Sequence, residues 1–211
     1  MRISIVTNTI YRAEPSYVAI TDELKTEWCA RHGVEYIRSS YNPHPDLHPV
    51  WCKPAVLLRF FAGRDWLVWM DADAAPVGDG VLDGVLDRAG DRIVMAKDIN
   101  GWNAGVFAVP CTDFGRHFLG AVDAHCEDAR YQRGFREQQC MADIFDNCPD
   151  VVFEPPRGFG WNSYKNIYNR QGDPNIYKNG DFCLHVPGAP DATRERIFKE
   201  VLREIHTLRQ P

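Results

Sequence analysis

No stretch of this 211-residue chain comes near the roughly 18 consecutive apolar residues that cross a bilayer. Its opening, MRISIVTNTI, has only a short apolar core and no cleavage-like region. The expectation is a soluble cytoplasmic protein without a transmembrane anchor. The seven cysteines are odd in number, follow no regular framework and never occur as C-x-x-C, which argues against a disulfide scaffold and for reduced thiols. The basic residues form no stripe and the formal charge is -5, so nucleic acid is not an expected partner. Without internal repeats, low-complexity runs or a linker, residues 1–211 read as a single domain.

What is present alternates between two periods. ISIVTN reads as a strand ending in the turn-favouring Thr7 and Asn8. Residues 16–33 place Ile20, Leu24 and Trp28 at helical spacing, with Ser16 as a candidate cap and Gly33 at the exit. VEYIRS is a second strand, and a helix opens at Lys53-Pro54 and runs to Gly63. LVWM follows as a third strand. This β-α-β-α-β order, with continuously apolar strands, predicts an α/β fold whose mostly parallel sheet is covered by helices on both faces. Further along, RIVMAK and NAGVFAVP read as strands, TDFGRHFLGAVDAHCE and REQQCMADIFDN as helices, and FCLHV as a late strand. Residues 155–180, rich in Gly, Pro, Asn, Tyr and Arg, read as an ordered functional loop. The tail places Ile197, Val201, Ile205 and Leu208 on one helical face.

The chemistry concentrates where the third strand ends, in WLVWMDADAAPVG. Sheets of this kind bind ligands at the carboxyl ends of their strands, and Asp71 and Asp73 stand at that edge. In an extended segment, residues i and i+2 project to one side, so the two carboxylates converge and call for a cation between them. Carboxylate oxygens suit Mg²⁺ or Mn²⁺, which keep positions open for substrate phosphates. A solvated strand end is the bland alternative, and a buried apolar strand running straight into the pair weighs against it. Phosphatases that attack through the first Asp of Asp-x-Asp expect Thr where Ala75 stands. A sugar nucleotidyltransferase expects a Gly-rich basic loop where this chain reads TNTIYRAEP.

Several segments together resemble the GT-A glycosyltransferases, most closely family 34, the galactosyl-, xylosyl- and mannosyltransferase group. They are WCKPAVLLRFFAGRDWLVWMDADAAPVG, NAGVFAVP, REQQCMADIF, FGWNSY and GDFCLHVPG, which match the family's motifs in order up to about Ala189. The resemblance implies a metal-dependent, retaining transfer of a hexose or pentose from a nucleotide-diphosphate sugar, UDP favoured, to a carbohydrate or glycoconjugate acceptor. It divides the chain into a nucleotide-binding half (1–75), a sugar and acceptor half (90–190) and a C-terminal helix (191–211). Asp71, Asp73 and His185 would bind Mn²⁺ or Mg²⁺. Thr7, Asn8, Lys53, Ala72, Asn103, Ala104, Gly105 and Gly188 would contact the donor, with Gly105 letting the backbone pass close to the sugar. Asn103, Glu137 and Gln138 would act at the reacting carbon, and Trp161, Asn162 and Tyr164 would meet the acceptor or donor. Gln138 is a poor nucleophile, which favours same-face attack over a covalent intermediate.

One departure stands out. The family carries a Lys shortly after His-x-x-Gly, near the diphosphate, whereas this chain reads His185-Val186-Pro187-Gly188-Ala189-Pro190. The leaving-group cation is then expected from Lys165, Arg157 or Lys178. The missing Lys also keeps open a non-catalytic sugar-nucleotide or carbohydrate-binding module. Absence of an anchor and stem fits a bacterial or viral version.

Overall fold

A computed structural model describes residues 1–11, 13–79, 82–165 and 175–208, and side chains as far as Thr207. The expected order is present. Strand β1 (Ile3–Asn8) leads into α1 (Ser16–His32), β2 (Glu35–Ser39), α2 (Cys52–Arg59) and β3 (Trp66–Met70). β1 pairs in parallel with both β2 and β3. Gly33 ends α1 in the left-handed conformation at φ 64°, where its missing Cβ removes the usual penalty. Ser16 does not cap that helix: Pro15 holds the cap position, and the Ser16 hydroxyl donates to Glu195 instead. α2 stops at Arg59, short of Gly63, and is preceded by a single 3-10 turn at Pro49–Trp51.

After β3 the chain turns. The short strand β4 (Ala74–Pro76) leaves the main sheet, and helix α3 (Leu82–Ala89) follows; the sequence reading had neither. β5 (Ile93–Asp98) and β6 (Gly101–Pro110) form an antiparallel hairpin. β6 inserts antiparallel beside β3, giving the sheet order β2-β1-β3-β6-β5-β7, with β7 at Val152–Phe153. Hence the sheet is mostly parallel with β6 reversed, and its helices lie on both faces. α4 (Asp113–Ala124) is capped by Thr112, whose hydroxyl accepts from the Gly115 N–H, and α5 (Glu137–Asn147) follows.

Strand alternation divides the core. Val6, Leu67, Trp69, Phe107 and Val109 face α2, α4 and α5, whereas Ile5, Val68, Met70, Val106 and Ala108 face the side of Trp28 and α3. FCLHV does not join the main sheet. As β8 (Cys183–His185) it pairs antiparallel with β4, setting Ala74 opposite His185. The C-terminal helix α6 (Asp191–Leu208) packs Ile197, Val201 and Ile205 against α1 and this small sheet. Leu208's side chain and residues 209–211 lie outside the described part, as does 166–174 of the loop read at 155–180.

Candidate active site

Asp71 follows the last residue of β3, and its N–H donates to Gly105 O on β6 at 2.8 Å. The aspartates do not lie on an extended segment. A turn joins them, closed by the Ala74 N–H donating to Asp71 O at 3.0 Å. The pairing of Ala74 with His185 brings the third group in. One ligand atom each from Asp71, Asp73 and His185 lie within 4.8 Å of one another.

His185 is held as a ligand side chain would be. Its Nδ1–H donates to Asn162 Oδ1 at 3.0 Å, which leaves Nε2 aimed at Asp73 Oδ1, 3.4 Å away. The ring packs against β6 where Gly105 stands. A Cβ there would come 2.0 Å from His185 Cε1, so the glycine makes room for the imidazole. This donor set, two carboxylates and one imidazole oriented from behind, fits Mn²⁺-like ions and, less well, Mg²⁺.

The two carboxylates have different neighbours. Asp71 accepts from Trp69 Nε1 at 2.7 Å and pairs with Lys53 Nζ at 3.0 Å. Lys53, buried on α2, also reaches Glu137 Oε1 at 2.9 Å and Ala104 O at 3.0 Å, so its three N–H groups have partners and it is not a free cation for phosphate. Burial opposes its charge, but Asp71 and Glu137 outweigh burial and hold its pKa above the usual lysine value. Burial pushes the Glu137 carboxyl up despite the pull of Lys53. Asp73 meets His185 and, from α6, the Arg194 guanidinium at 3.0 Å; these outweigh its burial and hold its carboxyl below the ordinary range.

Cavities open on either side of the pair. One, of about 730 Å³, is lined by Asn103, Gly105, Glu137, Gln138, Tyr164 and Gly188, among others. Asn103 is tied at both ends, donating to Asp98 at 2.7 Å and accepting from the Gly105 N–H at 2.8 Å. Gln138 Oε1 accepts from the Ala104 N–H at 3.0 Å. The other cavity, of about 640 Å³, is lined by Asn8, Tyr11, Tyr17, Trp69 and Ala72, among others. Asn8 donates to Tyr41 O at 2.9 Å, while its Oδ1 is buried without a partner among the described residues. Thr7 lines neither cavity: it is buried and donates to Met70 O at 2.8 Å, locking β1 to β3. Asp71, Asp73, Lys53 and Arg194 line both cavities.

Trp161 and Asn162 are buried and line neither cavity. The Trp161 indole is buried against Phe182 and donates to Val106 O, and Asn162 is spent on His185. Tyr164 does line the larger cavity. Lys165 lies over the Tyr177 ring at 4.9 Å, and neither it nor Arg157 nor Lys178 lines either cavity. The sequence reading missed Arg194, whose helix showed only its apolar face. It also missed Lys25, fully buried on α1 and donating to Asp71 O at 3.2 Å. A rim formed by Ile99, Asn100, Phe135 and Arg136 escaped it too, because residues so far apart carry no local signal.

The fold has solved counterparts. A glycosyltransferase involved in glycosylation of the major capsid of PBCV-1 superposes with a TM-score of 0.75 at 18% identity, covering 95% of this chain and all of that one. The fold is that of the GT-A glycosyltransferases. The galactosyltransferase LgtC, solved with donor and acceptor sugar analogs, matches with TM-score 0.63 at 13% identity over 97% of this chain and 96% of its own. Mouse xyloside xylosyltransferase 1 matches with TM-score 0.57 at 9% identity over 89% of this chain and 97% of its own. No protein-family model and no curated protein sequence matches the chain. Among the described residues no helix is long and apolar enough to cross a membrane.

Proposed function

We propose that this GT-A chain is a metal-dependent glycosyltransferase that moves a hexose or pentose from a nucleotide-diphosphate sugar, UDP favoured, to a carbohydrate hydroxyl with retention of anomeric configuration. The observation that carries the reading is the convergence of Asp71, Asp73 and His185 within 4.8 Å, at the seam between two cavities, on this fold. The smaller cavity, with Asn8, Tyr11 and Tyr17, takes the nucleoside, and the larger takes the sugar. Asp71, Asp73 and His185 Nε2 would hold Mn²⁺ or Mg²⁺. Such an ion, when bound, neutralises charge gathering on the departing diphosphate.

The protein's own groups then position the sugar. Gln138 has its oxygen committed to the Ala104 N–H, so its amide N–H groups are the ones left for sugar oxygens. Glu137 is committed to Lys53, and Asp98 to Asn103. With these carboxylates engaged and an amide oxygen a weak nucleophile, attack by the acceptor hydroxyl on the face the diphosphate leaves is favoured over a covalent glycosyl-enzyme. Exposed Ile99 and Phe135, beside Asn100 and Arg136, offer the acceptor an apolar and polar rim more accessible than Trp161 or Asn162. Tyr164 faces the same cavity.

The test is to incubate the protein with Mn²⁺ and a panel of UDP- and GDP-sugars, follow nucleotide release, and determine the product anomer. Release that requires metal, and a retained anomer with acceptor present, are expected. An inverted product would remove the retaining mechanism. Tight donor binding with no turnover in wild type would make the chain a binding module.

A further inference from the structure

Breaking a glycosyl-phosphate bond leaves a diphosphate carrying more negative charge than the donor did, and a fixed cation beside it stabilises that change. Lys53 is spent on Asp71, Glu137 and Ala104 O. From the geometry of α6 we infer that Arg194, which no sequence motif marked, is the catalytic cation that binds the leaving diphosphate. The inference rests on the nucleotide-sugar reading above and adds the residue that reading leaves unassigned.

Three observations support it. First, Arg194 lines both cavities, so it stands at the seam between the spaces assigned to nucleoside and sugar. Second, its position does not depend on Asp73. Nε donates to Val186 O at 3.1 Å, Nη1 reaches Asp191 at 3.0 Å, and the guanidinium lies over the Tyr17 ring at 5.1 Å. Two N–H groups of its five are unassigned as it stands, and a turn of Asp73 toward a metal ion would free the Nη2 bond as well. The planar fork matches phosphate oxygens.

Third, charge balance at the seam depends on it. Asp71, Asp73 and Glu137 stand there with Lys53, Arg194 and, behind Asp71, the buried Lys25. Removing Arg194 takes one positive charge from that cluster, with or without a divalent ion, and so weakens its pull on a diphosphate.

The experiment is calorimetric titration of wild type and Arg194→Ala, in Mn²⁺ buffer, with UDP and UMP and again with GDP and GMP. Arg194→Ala should lose about ten- to hundredfold in diphosphate affinity, while the monophosphate changes by less than about threefold. Mn²⁺ alone, followed by electron paramagnetic resonance, should bind Arg194→Ala at least as tightly as wild type, because Asp73 loses a competing cation. Arg194→Lys, which keeps the charge without the fork and the fold contacts of the stem, should fall between. Equal losses for mono- and diphosphate, or weaker binding of Mn²⁺ alone, would overturn the inference and make Arg194 a positioning residue for Asp73, with the nucleotide-sugar reading intact. A wild type that binds no nucleoside diphosphate at all would overturn that reading, and Arg194's role with it.

Discussion

Asp71 and Asp73 stand two residues apart, yet the halves of the site they belong to are built differently. On the Asp71 side, Lys53, Glu137, Trp69 and Ala104 O close a buried network in which each lysine N–H has a partner. On the Asp73 side, His185 and Arg194 approach from β8 and α6, and each is tethered from behind, by Asn162 and by Val186 O. The first half is fixed before any ligand arrives. The second offers groups that can change partners while staying in place. Lys53 therefore looks like a phosphate cation only in the sequence, and Arg194 only in the fold: a cation's identity says little until its other contacts are known.

Four substitutions and one labelling experiment probe the two halves separately. Asp73→Asn is expected to lower metal-dependent nucleotide release about a thousandfold, the several kcal/mol of charge stabilisation that a metal supplies, with the fold kept. A fall of less than tenfold would mean that the open half is not the metal site. Lys53→Met strands two acidic partners in the closed half and should cost about 3–5 kcal/mol of stability in urea unfolding. A loss under about 1 kcal/mol, the range of an exposed pair, would show that the network is solvent-screened.

Gly105→Ala pushes a methyl into the His185 ring and should cost about 1–3 kcal/mol by overpacking. It should also abolish the rise in melting temperature that Mn²⁺ is expected to give the wild type; an unchanged metal response would show that His185 does not need its place beside β6. Asn162→Ala frees the back of His185 and should weaken Mn²⁺ affinity about 10- to 100-fold with little change in melting temperature without metal. Smallest of all is the thiol pattern. Burial pushes Cys29 up to about 12 and Cys111 and Cys140 up to about 11, lowering their thiolate fraction at pH 8, while Cys148 is exposed. Ellman's reagent should therefore modify Cys148 rapidly and the others only after unfolding.

Most of the fold was legible, because strong local patterns report it. The apolar run before Asp71 announced a central strand, Gly33 the end of α1, and the spacing of Ile197, Val201 and Ile205 the packed face of α6. Short elements escaped: Ala74–Pro76 is three residues long and gains its strand character only from pairing with β8. The reversal of β6 escaped as well, since a buried strand reads the same in either direction. In the site, Asp71, Asp73 and His185 were legible through the order of motifs, though their convergence comes from a turn and a small sheet rather than an extended strand. Trp161 and Asn162 were expected at the acceptor because aromatic and amide groups suit sugars. In the fold one is core and the other orients a ring, roles set by partners more than twenty residues away.

On this reading the junction of the two halves holds a divalent ion and a diphosphate together. A crystal structure with Mn²⁺ and a nucleoside diphosphate, using manganese anomalous scattering, tests it most directly. One anomalous peak is expected, bound by Asp71, Asp73 and His185 Nε2 and by the diphosphate, with Arg194 on the same diphosphate. A peak elsewhere, or a diphosphate seated away from both aspartates, would contradict it.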